Sequence, residues 1–399
     1  MRAALNETPP GDAPQRTIFP DSALSKRVAV AAMRLYGKVL PGVQDQIRPT
    51  DSSALRILIQ TMGGIGNSLM ATPLIAATRQ LYPNARIDVL TSPATAPLLA
   101  TNPHATNVLT DPPADGQGMW PVVRGIRAAR YDAAIAALNS HLSKNAARIV
   151  LGKIPRRIMH EYPFRAYDNF LGAFTHVVPR ARGKHDVARN MDLLHALSGE
   201  HVDPGPLVLP LNEAAKATAR AVLAGAGWNP ERVSVAICPG SSGWMAFKRW
   251  PIHHAMALAD CVLQRRDAPT VLTLLGPDEQ EDVRAWRERF GSRVILIEGL
   301  DVTAYAAALA QMSAVIANDS LPMHLCAALQ VPVVALFGPT DPAQTGPWKG
   351  RAIVISADTD FTPFYTLPYP VDPGQFPDSM ETITPESVEH AVDQLLARR

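Results

Sequence analysis

Several things are scarce in this chain of 399 residues, and each scarcity removes a class of function. Cysteine comes first: Cys238, Cys261 and Cys326 lie scattered among apolar neighbours. No pair has zinc-ligand or redox-motif spacing, so buried thiols in a reducing compartment are expected, and a disulfide framework is not. Charge of one sign is also missing. The 38 basic and 36 acidic residues leave a formal charge of +2, which argues against a general nucleic-acid binder. No apolar run is long enough to span a bilayer. The strongest, VPVVALFG at 331–338, has the length of a buried parallel strand. A complete dinucleotide fingerprint is absent as well. Gly64 and Gly66 fit it, but Leu69 holds the third position and Asp88 sits inside the next strand, which disfavours a dehydrogenase.

What is present is an ordinary globular composition, 47% hydrophobic and 19% charged, in a chain too long for one typical core. From Leu55 onward short β-branched runs alternate with helical patterns. Strands are expected at 55–61, 86–91, 106–110, 131–138 and 156–159, then at 233–238, 270–275, 293–297, 314–317 and 331–337. The alternation predicts α/β architecture with parallel sheets covered by helices on both faces. DPGPLVLPLN, 203–212, interrupts the pattern, so the expected division is 51–205 and 206–380, with a terminal helix over 381–399. In that helix Thr384 is the expected N-cap and Pro385 lies in the first turn.

Residues 1–50 form an extension of another kind. Residues 1–22 are proline-rich and poor in large apolar side chains, and are expected to be disordered. Residues 24–40 read as a helix with Leu24, Val28, Ala31, Leu35 and Val39 on one stripe and Lys26, Arg27, Arg34 and Lys38 to one side. Such a helix either lies on an anionic membrane surface or docks on the protein's own core. A secretory signal is not expected, because the apolar stretch is short and interrupted by Arg34.

Two strand-to-helix crossings carry the chemistry. The strand ending at Cys238 runs into Pro239-Gly240-Ser241-Ser242, and Lys248-Arg249 follow. The strand 314–317 runs into Asn318-Asp319-Ser320-Leu321-Pro322 and a helix, with Asp319 or Ser320 as N-cap. Backbone N–H groups, hydroxyls and a cation after one strand, and a helix N-terminus after another, point to a nucleotide-diphosphate ligand.

KRWP, the PGSS loop, LLGPDEQE, NDSLPMHLCAAL and VALFGPTDP resemble, in that order, the C-terminal half of glycosyltransferase family 9, which holds the ADP-heptose:lipopolysaccharide heptosyltransferases. RILIQTMGGIGNSLMATPLIAATRQLYPNARIDVLTS, RYDAAIAAL and HDVARNMDLL resemble its N-terminal half, so the likeness spans roughly 55–397. It implies a GT-B fold, two Rossmann-like domains facing across a cleft, and inverting transfer of a sugar from a nucleotide-diphosphate donor. The donor sugar would be heptose and the acceptor a saccharide or lipid-linked saccharide in cell-surface glycan synthesis. The setting would be cytoplasmic, with the inner face of the cytoplasmic membrane as a peripheral site. It also implies a terminal helix packed back on the first domain. A nucleotide-sugar epimerase and a non-catalytic nucleotide-sugar binder are the rival readings.

The resemblance also assigns roles. Lys248 would offset charge on the departing diphosphate, and Ser241 and Ser242 would donate to phosphate oxygens. Asp278, with Glu279 as its alternate, would meet the ribose. Asp319 would meet the donor sugar hydroxyls, and Ser320 and His324 the diphosphate. Gly64 and Gly66 would form the acceptor-side turn, or simply a tight turn in which glycine permits positive φ and close packing. Asn67 stands where relatives often carry an aspartate base. An amide takes no proton at neutral pH, so Asn67 is expected to orient the acceptor hydroxyl. Leu321 stands where glycine is frequent. Arg249, Trp348 and Lys349 are weaker candidates. Asp358-Thr359-Asp360 has the DxD form of metal-dependent sugar transferases but lies outside the repeating core, and reads as a solvated turn. Neither a cofactor nor a metal requirement for transfer is expected.

Overall fold

The computed structural model describes residues 55–398 except 62, 111–118, 139–141, 162–171, 242, 277–278 and 359–378; before residue 55 it describes Leu35, 42–43 and 45–49. The first sheet contains β1 (Arg56–Thr61), β2 (Arg86–Thr91), β3 (Asn107–Thr110), β4 (Ala133–Ala136), β5 (Arg156–His160) and β6 (His176–Val178). Its helices are α1 (Ile65–Met70), α2 (Thr72–Leu81), α3 (Ala96–Leu99), α4 (Met119–Ala129), α5 (Leu142–Leu151) and α6 (Asp186–Ser198). The second sheet contains β7 (Ser234–Cys238), β8 (Thr270–Leu274), β9 (Val294–Ile297), β10 (Ala314–Asn318), β11 (Val333–Phe337) and β12 (Ala352–Ser356). With it come α7 (Glu213–Gly225), α8 (Ile252–Leu263), α9 (Gln280–Phe290), α10 (Val302–Leu309), α11 (Leu321–Leu329), α12 (Pro342–Thr345) and α13 (Pro385–Ala397).

All pairings are parallel, with strand orders β3-β2-β1-β4-β5-β6 and β9-β8-β7-β10-β11-β12. Both sheets therefore have the doubly wound order, whose direction reverses between β1 and β4 and between β7 and β10. Burial on both faces explains the near-continuous apolar strands. Ile57 and Ile59 join one core cluster and Leu58 the opposite one; Val235 and Ile237 likewise oppose Ala236 and Cys238. The edge strands β6 and β12 were not expected: β6 is only HVV, and the run AIVIS of β12 lies beyond the last strand read from the sequence.

Two expectations change. Within the 1–50 extension, residues 42–43 and 45–49 are not a separate arm but line the first sheet's domain. Ile47 is buried, its N–H donates to the Leu197 carbonyl, and its own carbonyl accepts from the Tyr82 hydroxyl. The Val43 N–H likewise reaches the Pro155 carbonyl. An apolar side chain and two strong backbone partners outweigh the segment's polar appearance. Of the 24–40 segment only Leu35 is described, helical and exposed; the rest, with 1–22, lies outside the described residues.

The second change concerns α13. Thr384 caps it as expected, its hydroxyl accepting from the Ser387 N–H at 3.3 Å. However, Val388, Ala391, Val392 and Leu395 pack into the cluster of Val235, Ile237, Val334 and Leu336. The helix therefore covers the second sheet rather than the first, because its apolar stripe completes a face that α8 covers only in part. Cys238 and Cys326 are buried and Cys261 partly so, all as free thiols. No helix among the described residues is long and apolar enough to cross a membrane.

Candidate active site

In open α/β sheets the crevice outside the strand C-termini, where strand order reverses, receives the ligand. In the second sheet that point lies between β7 and β10. Asn318, the last residue of β10, holds the two exits together. Its side-chain carbonyl accepts from the Trp250 N–H at 3.0 Å, and its amide donates to the Pro239 carbonyl at 2.6 Å. The loop after β7 is thus pinned to the start of α11, and Lys248 and Asp319 are brought together.

Lys248 Nζ lies 2.9 Å from Asp319 Oδ2, with side-chain exposures of 7% and 4%. Lys248 is therefore no solvated surface lysine. Burial pushes the Asp319 carboxyl pKa up, but the Lys248 ammonium outweighs it and holds the carboxyl below its usual value. The Thr345 hydroxyl reaches the other carboxylate oxygen at 3.4 Å.

Ser320 precedes α11 as its N-cap, yet its side chain makes no capping bond. Its hydroxyl is buried without a protein partner. Such a hydroxyl beside the unpaired N–H groups of a nine-residue helix is what an anion-binding terminus looks like. Leu321 is helical here, and its backbone closes no turn that demands glycine. His324, one turn into α11, is buried, and burial lowers its pKa to about 4 despite Asp319 nearby. Its Nδ1 has no hydrogen-bond partner.

Other candidates separate. The Ser241 hydroxyl donates to the Met245 carbonyl at 2.9 Å and so closes its own loop. Arg249 donates to the Ser241 carbonyl at 2.7 Å and braces the same loop. Ser242, Asp278 and residues 359–360 of the DxD lie outside the described residues. Glu279 is buried and accepts from the Gly276 N–H at 2.6 Å. It fills the space above Gly240, where an added Cβ would fall 1.0 Å from Glu279 Oε1. Trp348 and Lys349 belong elsewhere: they donate to the carbonyls of Gly205 and Pro204, in the segment between the sheets.

The first sheet supplies the facing turn. Gly64 caps α1 with φ −61°, and neither Gly64 nor Gly66 has positive φ, so left-handed backbone is not what glycine provides here. Close approach is the reason at Gly66, where a Cβ would lie 2.6 Å from His324 Cδ2. Gly64 has open space, its nearest neighbour being Asn67 Nδ2. Helix α1 packs on α11, and Asn67 is half-buried in the first turn of α1. The contact between sheets continues at His185, whose Nδ1 caps Val187 of α6 while Nε2 meets the Gly346 carbonyl at 3.0 Å.

Thus Lys248, Asp319, Ser320 and His324 assemble, and Gly66 faces His324 across the seam, with Asn67 next to it in α1. Asn318 and Gly240 are the residues missed by sequence reasoning. Asn318 reads as a strand end, and only the cross-strand bonds reveal its role. Gly240 stood in a quoted motif, but its meaning depends on Glu279 from another loop.

The model of glycosyltransferase family 9 (heptosyltransferase) matches residues 119–365. The chain belongs to this family. Lipooligosaccharide heptosyltransferase 2 of Haemophilus influenzae is 27% identical over 377 residues, covering 86% of this chain and all of the relative. Among solved structures, the family 9 glycosyl transferase of Veillonella parvula superposes with TM-score 0.72 at 21% identity, covering 90% of this chain and 100% of that one. The E. coli ADP-heptose lps heptosyltransferase II gives 0.68 at 22%, covering 86% and 99%. The fold is GT-B, and the protein is a glycosyltransferase.

Proposed function

We propose that this chain moves a heptosyl residue from ADP-heptose onto a saccharide acceptor during lipopolysaccharide assembly, with inversion at the anomeric carbon. The relatives are named for that transfer, and the buried Lys248–Asp319 pair beside the unpartnered Ser320 hydroxyl carries the reading on this chain. The diphosphate sits at the α11 N-terminus, where Ser320 and backbone N–H groups donate to it. Lys248 offsets charge as the glycosidic bond to phosphate breaks. Asp319 fixes Lys248 and presents its remaining lone pairs to sugar hydroxyls. Asn67 orients the acceptor hydroxyl from the opposite turn, and no metal is required for the transfer. The acceptor domain ends near residue 205, the donor domain follows, and residues 24–40 hold the enzyme on an anionic membrane surface.

The test is incubation with ADP-heptose in the presence and absence of lipopolysaccharide lacking the outer heptose. ADP release that requires the acceptor supports the reading. Donor turnover at full rate without acceptor would favour an epimerase, and donor binding without any turnover would favour a binding protein. EDTA is expected to leave transfer intact. Loss restored by Mn²⁺ would bring Asp358-Thr359-Asp360 back into the mechanism.

A further inference from the structure

Behind the donor loop, away from the Lys248–Asp319 pair, a second cluster of ligating side chains gathers. His253 and His254 open α8, and Glu381 lies in the short turn Ser379–Thr382 just before α13. His253 Nε2 and His254 Nε2 both face the same carboxylate oxygen, Glu381 Oε2, at 3.4 and 3.6 Å. All three ligating atoms lie within 4.8 Å of one another. A charge-assisted N–H···O bond is shorter, about 2.7–2.9 Å. Donors around one tetrahedral ion, each about 2.0–2.1 Å from it, stand roughly 3.3 Å apart. The two His–Glu spacings are close to that. His253 is 65% exposed, so its ring can turn to complete the set.

An independent bond orients His254. Its Nδ1 lies 3.1 Å from the Ile383 carbonyl. A carbonyl only accepts, so Nδ1 carries the hydrogen and Nε2 is the ring nitrogen left facing Glu381. A backbone carbonyl on the far nitrogen is how metal-bound histidine is usually held. The ring also packs edge-on against Trp250 at 5.8 Å, which limits its swing.

We propose that His253, His254 and Glu381 form a divalent-metal site that clips residues 379–383 to the start of α8. Two imidazoles and one carboxylate suit a borderline ion such as Zn²⁺ or Co²⁺ rather than Mg²⁺ or Ca²⁺, and a water completes the shell. The clip acts on the donor loop through bonds already in place. The Ile383 carbonyl accepts from the Trp250 indole at 2.8 Å, and the Trp250 N–H is held by Asn318. The same segment seats Met380 over Gly338 at the end of β11, where an added Cβ would fall 2.4 Å from its sulfur. A bound ion thus stiffens the frame of the switch point without entering the transfer chemistry.

The experiment uses the full chain, stripped with a chelator and dialysed. CoCl₂ titration followed by visible absorption should show one saturable ion per chain with the bands of four-coordinate cobalt. ZnCl₂ should raise the melting temperature as its concentration rises. Glu381→Gln and His253→Gln, both at exposed positions, should fold like the parent and lose at least ~10-fold in Co²⁺ affinity. Absence of saturable Co²⁺ binding overturns the site. Undiminished binding by the Glu381→Gln/His253→Gln double variant also overturns it, since the ion would then sit elsewhere. Zn²⁺ that binds without raising the melting temperature overturns the clip.

Discussion

The two halves of this molecule share one strand order, yet among the described residues only the second buries ionisable side chains together at its reversal point. In each, an asparagine ties the crevice together. Asn190 of α6 accepts from the Leu138 N–H beyond β4 and donates to the Met70 carbonyl at the end of α1. Asn318 does the equivalent work between β7 and β10. The loops differ. Gly63–Asn67, after β1, offers an amide and no ionisable group. The exits of β7 and β10 bury Lys248, Asp319 and His324 together. Topology makes the crevice twice, and the residues just past the strands decide which crevice handles charge.

The largest effects should come from breaking the charged half. Asp319→Asn removes the carboxylate that faces the buried Lys248 ammonium, which should cost about 3–5 kcal/mol in a denaturation experiment. Lys248→Ala should lower turnover by ~10²-fold or more. A paired exchange, Lys248→Met with Asp319→Leu, sharpens the point. Stability should recover because neither charge of the pair is left without the other, while turnover stays low. Recovered turnover would remove the pair from the chemistry.

The next effect is on pH dependence, and again belongs to the donor half. His324 titrates near 6.5 when unfolded and at about 4 when folded. Between those values the unfolded chain binds the extra proton, so stability falls as pH drops through that window. The loss amounts to about 3 kcal/mol by pH 4. The charged and titratable groups facing His324 are Asp319, Lys248, His185 and Asp186. Asp319, held below its usual value, adds a further loss at lower pH as it protonates. Melting curves of His324→Gln should lack the step between pH 6.5 and 4; an unchanged step would assign it to another group, His185 first.

Smaller effects should come from the seam. Gly66→Ala places a methyl on the His324 ring, and Gly240→Ala places one on the Glu279 carboxylate. Each should cost about 1–3 kcal/mol as overpacking. They should differ in binding: Gly240→Ala weakens ADP affinity in calorimetry, whereas Gly66→Ala leaves it near parent and lowers transfer. The reverse pattern would exchange the roles given to the two turns.

Much of this was legible beforehand. The apolar runs gave ten of the strands because buried parallel strands are continuous in hydrophobicity. Lys248 and Asp319 stood out because each follows a strand and neighbours a glycine-rich or capping loop. Their pairing was not legible, since 71 residues separate them and only the β7–β10 adjacency joins them. At Gly66 close packing was legible and positive φ was not needed; the partner, a ring on the other domain, was hidden. The docking of Val43 and Ile47 was hidden because the backbone bonds that hold them leave no trace in sequence.

The smallest effect should come from the uncharged half, at Asn67. An amide that only orients a hydroxyl contributes one hydrogen bond, about 1 kcal/mol, so Asn67→Ala should slow transfer about fivefold. Donor affinity should not move, because the Gly63–Asn67 turn belongs to the other sheet. Asn67→Asp asks whether the crevice after β1 was merely short of a base. If so, the rate should rise, and the gain should vanish as pH falls below the usual carboxylate pKa of about 3.9. If Asn67→Asp is no faster at any pH, proton removal does not depend on this position. If Asn67→Ala is fully active as well, the turn only packs α1 against α11, and the acceptor hydroxyl is oriented elsewhere. The expected result is the first loss without the second gain. A carboxylate at 67 would stand beside Gly66, whose closest neighbour across the seam is the His324 ring, and that ring, neutral above about pH 4, offers it no positive charge.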